Sequence, residues 1–173
     1  RLSDVSIHMN CGPEIGVAAT KSFTSQLTIL YAIVDSLSGG AIGLEDQKYK
    51  LQSAVKGLVE RQRLIEQIAE EIKDVKDIYV LGRSIHYPIA LEGALKIKEL
   101  SYVHAEGIPA GELKHGPLAL IDRNSCILVL NPNDSTFDDV KANAHEIKAR
   151  GASLIGIGNS PSDVYDRFIT IPE

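Results

Sequence analysis

The stretch Asp77-Ile-Tyr-Val-Leu-Gly82 decides the fold of this chain, because it has the composition of a strand that is buried on both faces. It ends at a glycine turn, and Pro88 then stands in the first turn of a predicted helix. Apolar runs of the same kind return at Cys126–Leu130 and Ser153–Gly158. Continuous strands that alternate with helices are typical of a parallel sheet covered on both faces. We therefore predict an α/β fold, a doubly wound parallel sheet flanked by helices on both faces.

The segments between these strands complete the alternation. The helix that starts at Pro88 is predicted to run to about Val103, and a glycine- and proline-rich stretch, Gly107–Pro117, follows it. A second helix is predicted from about Asp134 to Arg150, and a last strand covers Phe168–Ile171.

The amino-terminal part of the chain is predicted to be mainly helical. Val5–Met9 alternates apolar and polar residues, as a short strand does. Thr20 or Ser22 can cap a helix that runs to about Leu37 and stops at two glycines. Residues 44–74 are amphipathic and predict one long helix or two consecutive helices.

Composition and charge exclude several classes of protein. A net charge of −5 without any cluster of Lys and Arg argues against nucleic-acid binding. The longest apolar run, Leu27–Val34, is too short to cross a bilayer, so no membrane is expected. Cys11 and Cys126 have neither metal nor redox spacing, which favours a reducing, cytoplasmic location without a metal.

Three ionisable residues of the predicted helix after Pro88 are the first candidates for chemistry. Glu92, Lys96 and Glu99 stand at i, i+4 and i+7, on one helix face. Spacing alone favours an exposed ion pair that supports the helix. Three features favour a site instead: a strand's carboxyl end that we expect nearby, a following loop with its own ionisable cluster, and apolar flanks at Leu91, Ala94, Leu95, Ile97 and Leu100.

Three other segments carry weaker signals. His115 lies between glycines in Gly111–Pro117, where it could pass a proton to a ring oxygen or belong to a rigid, solvated turn. Gly82-Arg83-Ser84 could hold an anion or form an ordinary strand–helix turn. Thr20 begins a run of four hydroxyl residues, of which capping explains one, and we include it among the candidate substrate contacts.

Three longer blocks together resemble one enzyme family, the glutamine–fructose-6-phosphate aminotransferases (isomerizing). The blocks are Cys11–Gln26, Ala90–Glu106 and Ala110–Asp122, and the resemblance extends in order along nearly the whole chain. It implies a fragment of the isomerase part, which in the family consists of two flavodoxin-like SIS domains with five-stranded parallel sheets. The implied division is the end of a first SIS domain (strand plus helix) over residues 1–40, a helical connector over 41–74, and a nearly complete second SIS domain over 75–173.

The resemblance also implies an activity and roles for individual residues. The family makes glucosamine 6-phosphate from fructose 6-phosphate and glutamine-derived ammonia. Glu99 matches the base that moves a proton between C1 and C2, and His115 matches a ring-opening histidine supplied across a dimer interface. Lys96 matches a lysine near the sugar and Glu92 an acidic residue alongside it, while Val17 falls in a loop whose backbone touches the sugar.

Departures from the family pattern limit what the chain is expected to do alone. The main phosphate loop of the family falls upstream of Arg1, the imine-forming lysine falls beyond Glu173, and Ala19 stands where many relatives carry serine. The resemblance implies no cofactor, a homodimer, and a glutaminase domain as partner. We expect the fragment alone to be inactive. A deaminase or deglycase of aminated sugar phosphates, or a phosphosugar-binding regulatory module, remain alternatives, although a sensor needs neither Glu99 nor His115.

Overall fold

The computed structural model describes residues 3–172 and divides into two compact units. The amino-terminal unit is Arg1–Val55 and the carboxyl-terminal unit is Lys56–Glu173. Helix α2, Leu44–Glu60, contains the point of division. The division into residues 1–40, 41–74 and 75–173 stays a prediction that this partition does not test.

The amino-terminal unit contains helix α1, Lys21–Leu37, and the first part of α2. The predicted end of α1 is confirmed, since Gly39 and Gly40 follow with φ of 71° and 87°. The carboxylate of Asp35 then caps α2 by accepting hydrogen bonds from the backbone N–H groups of residues 42, 43 and 44. These bonds fix the short connection between the two helices.

The prediction of a strand at Val5–Met9 is wrong, because no helix or strand covers these residues. An alternating segment becomes a strand only when a neighbouring strand pairs with its backbone groups. The described residues of this unit, 3–55, provide no second strand. The alternation of side chains was therefore not sufficient to predict the element.

The carboxyl-terminal unit confirms the predicted doubly wound sheet. All five strands are parallel, in the order β2-β1-β3-β4-β5, which is the flavodoxin-like order. Beyond α2, its elements in chain order are α3 (Gln62–Ile72), β1 (Asp77–Gly82), α4 (Tyr87–Ser101), β2 (His104–Pro109), β3 (Cys126–Asn131), α5 (Phe137–Lys148), β4 (Ser153–Gly158) and β5 (Arg167–Thr170).

Separate apolar layers form on the two faces of the sheet. One face packs against α3 and α4 through small residues of α4, Ala90 and Ala94, which are fully buried. The other face packs against α5 and two 3-10 turns, Ala110–His115 and Pro117–Leu120, with Leu113 buried between them and the sheet. Helices on both faces shield the backbone of a parallel sheet from water, which is the packing that its continuous apolar strands require.

Strand β2 was not predicted, since its second half was assigned to the glycine- and proline-rich stretch Gly107–Pro117 and its first half to no element. Its segment, His104–Pro109, contains one β-branched residue and two residues that strands disfavour. Gly107 is needed because α4 lies directly on this strand. A Cβ atom at Gly107 would lie 2.9 Å from the Cα and N atoms of Leu91. Close packing against a helix, which the sequence does not display, therefore selects this composition.

Replacing Gly107 with alanine is expected to destabilise the carboxyl-terminal unit by about 1–3 kcal/mol, since the new methyl group displaces α4. Gly57→Ala is the matched control, because Gly57 lies within α2 with no atom within 4 Å of the added methyl group. The control is expected to stabilise helix α2 by about 0.5–1 kcal/mol. Chemical denaturation of the 173-residue chain measures both, and equal midpoints for the two variants would contradict the proposed packing constraint.

Candidate active site

The candidate active site is centred on Lys96, which lies between two carboxylates on α4. Its Nζ atom donates to Glu99 Oε2 at 2.7 Å and lies 3.3 Å from Glu92 Oε1. The i, i+4 and i+7 spacing predicted this contact, because residues three and four apart on a helix face each other. The structure therefore brings the three residues together as one charged group with a formal charge of −1.

Burial distinguishes this group from an ordinary exposed ion pair. The side chains of Lys96, Glu92 and Glu99 are only 21%, 24% and 28% exposed. Neighbouring Leu91 and Leu100 are 46% and 63% exposed, although leucine normally occupies the more buried positions. This inversion of the usual burial pattern favours a functional role over simple support of the helix.

The environment of Lys96 keeps its amine charged. Its side chain lines an apolar groove of about 630 Å³ between α3 and α4, together with Ile97 and Leu100. The hydrogen bond from Lys96 to Glu99, with a further contribution from Glu92, raises the pKa of the ammonium above its usual value. Lys96 is therefore a permanent cation at neutral pH, and a carboxylate is the group here that can accept a proton.

The group does not lie at the carboxyl end of a strand, as the sequence led us to expect. Helix α4 starts at the carboxyl end of β1 and runs back along it, since Gly82 approaches Ala90 and Val80 approaches Gly93. Glu99 lies two and a half turns beyond Ala90, and β2 starts five residues after it. The crossover therefore carries Glu99 towards the amino edge of the sheet, and the expectation is corrected on this point.

His115 lies in a different part of the same unit. It ends the 3-10 turn that follows the carboxyl end of β2, and its side chain is exposed. Leu113 is fully buried and Lys114 pairs with Glu146 of α5 at 2.7 Å, so the two residues that precede His115 are both held against the rest of the unit. The structure does not bring His115 into the Glu99 group.

The turn after β1 does not offer a free anion site. The Arg83 guanidinium is paired with Asp139 at 2.9 Å, so its charge is already neutralised. His86 contacts Asp134 at 2.7 Å. Hydrogen bonds from Thr136, and then His86, lower the pKa of Asp134 to about 2. Side-chain contacts within the chain thus occupy this edge, and the hypothesis of an anion site at Gly82-Arg83-Ser84 finds no support here.

In the amino-terminal unit, the predicted substrate contacts Val17 and Thr20 lie on a loop before α1. Val17 is 90% exposed and Thr20 is also exposed. The predicted capping of α1 by the Thr20 or Ser22 hydroxyl is wrong, since neither makes a side-chain cap. Glu14 Oε1 instead accepts hydrogen bonds from both backbone N–H groups and from Ser22 Oγ. Sequence reasoning missed Glu14 because it stands seven residues before the first residue of the helix.

No metal centre is evident in the described part of the chain, since residues 3–172 contain no group of three His, Cys, Asp or Glu side chains arranged for a metal ion. Cys126 is fully buried, as predicted, and burial raises the pKa of its thiol to about 11. Its thiol therefore stays protonated and is a poor nucleophile. Over the same residues, no helix has both the length and the apolar character to cross a membrane.

The structure defines the class of protein to which this chain belongs. It is a doubly wound domain of five parallel strands, and its first crossover helix carries a half-buried carboxylate–lysine–carboxylate group. Residues 71–171 match the SIS domain family. The chain belongs to that family, and the resemblance found in the sequence is confirmed.

Individual relatives show which SIS proteins the chain is similar to. It is 48% identical over 158 residues to the glutamine–fructose-6-phosphate aminotransferase (isomerizing) of Aquifex aeolicus, which covers 91% of this chain and 27% of that protein. The C-terminal domain of glucosamine-fructose-6-phosphate aminotransferase from Francisella tularensis superposes with a TM-score of 0.80 and 39% identity, covering 92% of this chain and 48% of that one. The chain thus spans about a third or less of the length of the curated relatives it matches.

A more distant structure shares the fold alone. Glucosamine-6-phosphate deaminase from Thermotoga maritima superposes with a TM-score of 0.74 at 23% identity, covering 92% of this chain and 47% of that one. The same arrangement of strands and helices therefore occurs in a protein whose name describes a different reaction, and function has to be argued from the site.

Proposed function

We propose that this chain is the sugar-isomerase part of an enzyme that converts fructose 6-phosphate and glutamine-derived ammonia to glucosamine 6-phosphate. The single observation that carries the proposal is the half-buried Glu99–Lys96 pair on α4 of an SIS domain. The names of the relatives at 42–48% identity support the substrate and the source of nitrogen.

In the proposed mechanism, Glu99 transfers the proton. Isomerisation of a ketose to an aldose removes a proton from C1 and returns it to C2, which one carboxylate can do. Negative charge develops on the intermediate between these steps, and the Lys96 ammonium supplies a fixed positive charge to stabilise it. Glu92 holds Lys96 from the opposite side, at 3.3 Å, and in this proposal orients it.

His115 is proposed to open the sugar ring in a site that it shares with another copy of the chain. Gly107 of β2 contacts Leu91 of α4. Glu99 and His115 lie in opposite directions from this contact. Glu99 lies eight residues further along α4, about 12 Å towards the amino edge of the sheet. His115 lies beyond the carboxyl end of β2. A single sugar is too small to contact both in one chain, which favours a homodimer whose partner supplies His115.

The remaining partners and the location are proposed from the resemblance and the cysteines. Release of ammonia from glutamine requires a glutaminase domain, which is the proposed partner. The loop that carries Val17 and Thr20 is proposed to contact the sugar through its backbone. The two free cysteines, Cys11 and Cys126, favour the cytoplasm. No cofactor is needed for the proposed proton transfer, since the base and the stabilising cation are both side chains.

One experiment separates the proposed synthase from a deaminase. The complete gene product that contains this chain is incubated with fructose 6-phosphate and glutamine, and glucosamine 6-phosphate is measured by mass spectrometry. Product is expected with glutamine, and it should fall strongly when an inhibitor blocks glutamine hydrolysis. A deaminase would instead release fructose 6-phosphate and ammonia from glucosamine 6-phosphate without any response to glutamine. Binding without turnover in either direction would favour the regulatory module.

A further inference from the structure

The loop before α1 is closed by one carboxylate. Glu14 Oε1 accepts hydrogen bonds from Thr20 N at 2.9 Å, from Ser22 N at 2.8 Å and from Ser22 Oγ at 2.8 Å. The five residues between Glu14 and Thr20 therefore form a short bridge with both ends tied to the same oxygen atom. Three hydrogen bonds to one charged oxygen hold this loop closed and restrict its change of shape.

Within this bridge, the side chains show which part faces outward. Ala18 is buried at 6% exposure. Ile15 and Val17, which both precede Ala18 in the loop, are 96% and 90% exposed. Two apolar side chains are thus held in water on a constrained backbone, an arrangement with no benefit to the stability of this unit.

The charge of Glu14 is also used within the chain. Its carboxylate lies on the backbone N–H groups at the start of α1, where the helix dipole favours a negative group. The N-terminus of α1 is therefore already occupied by an anion and is not open to a phosphate. The loop can offer a ligand only its outward backbone and side chains.

We propose that Glu14 is a positioning residue for the sugar site, acting by holding residues 15–20 in the conformation that meets the substrate. This inference rests on the proposed function, in which the loop carrying Val17 and Thr20 contacts the sugar. It extends that function by assigning the shape of the contact loop to a carboxylate that touches no substrate itself.

The three hydrogen bonds from Thr20 and Ser22 to Glu14, which we call the Glu14 clamp, are insensitive to pH near neutrality. Bonds from the Ser22 and Thr20 backbone lower the pKa of Glu14 to about 2. A carboxylate whose pKa is lowered on folding adds stability above its ordinary value, and this contribution is lost as the pH falls towards the lowered value. The clamp is therefore complete from about pH 5 upwards, and its contribution to KM is expected to be flat across neutral pH.

The test compares Glu14→Ala and Glu14→Gln with the wild-type complete gene product. A loosened loop must be ordered anew by each substrate molecule, so Glu14→Ala is expected to raise the KM for fructose 6-phosphate about tenfold, with kcat within about twofold. Glu14→Gln keeps an acceptor oxygen but loses the charge, and its KM should lie between the two. Glu45→Ala is the matched control, since Glu45 is an exposed acid in the first turn of α2.

The outcomes separate this inference from the function on which it rests. A loss confined to folding would lower kcat through the active fraction and leave KM unchanged, and that result overturns the positioning role. Wild-type protein that makes no glucosamine 6-phosphate overturns the proposed function instead. If Glu14→Ala does not fold, hydrogen exchange of the Thr20 and Ser22 amides in Glu14→Gln decides the matter. Unchanged protection of both amides, with unchanged KM, would overturn the clamp.

Discussion

Replacing Glu99 with glutamine is expected to lower the kcat of the complete gene product by about a thousandfold, the middle of the range for loss of a general base. Glutamine has nearly the same shape and can still accept the hydrogen bond from Lys96 Nζ, which is 2.7 Å in the native protein. It cannot accept the C1 proton at neutral pH. The KM for fructose 6-phosphate should therefore change by less than about threefold, because ground-state contacts persist. Steady-state kinetics of glucosamine 6-phosphate formation measure both constants.

The matched control for this variant is Glu70→Gln. Glu70 pairs with Lys73 at the same i, i+3 spacing as Lys96 and Glu99, but its side chain is 71% exposed. Losing such an exposed pair changes stability by less than about 1 kcal/mol and should leave kcat unchanged. If Glu99→Gln retained the wild-type kcat, the assignment of Glu99 as the base would be wrong. Equal losses in both variants would indicate a structural effect of helix charges instead.

An element of the fold could be predicted from the sequence when its cause lies within its own residues, and could not when the cause is a contact with another element. Strands β1 and β4 were predicted with their observed bounds, because a buried parallel strand must be apolar along its whole length. Strand β2 has a different composition, since Gly107 makes room for Leu91 on a helix that lies over it. Its cause is a contact between two elements, and no local pattern in the sequence contains it.

The same distinction applies to the candidate site. The contact of Lys96 with Glu92 and Glu99 follows from helical spacing alone, so the sequence was sufficient to predict it. The hydrogen bonds of Glu14 cross a loop of irregular backbone, for which the chain has no periodic signal. The edge of the sheet at which Glu99 lies depends on the direction of the crossover helix, which becomes clear only once β2 is recognised as a strand.

Two inactive variants are expected to restore activity when their subunits exchange. In the proposed dimer each site takes Glu99 from one chain and His115 from the other. A heterodimer of Glu99→Gln and His115→Asn subunits then has one native site and one doubly altered site. A 1:1 mixture, dissociated and reassociated, should therefore reach about a quarter of the wild-type activity, since about half of the dimers are mixed. Either variant alone, treated in the same way, should stay near its own low activity.

In the reciprocal mixture, which is the control, exchange of subunits is expected to lower the activity. Wild-type subunits combined with the double variant Glu99→Gln/His115→Asn form mixed dimers in which each shared site carries one altered residue. A 1:1 mixture should then retain only about a quarter of the activity, supplied by the wild-type homodimers. Sites formed within one chain predict the reverse pattern, with no recovery in the first mixture and about half of the activity in the second. The opposite positions of Glu99 and His115 about the contact between Gly107 and Leu91 favour the shared site.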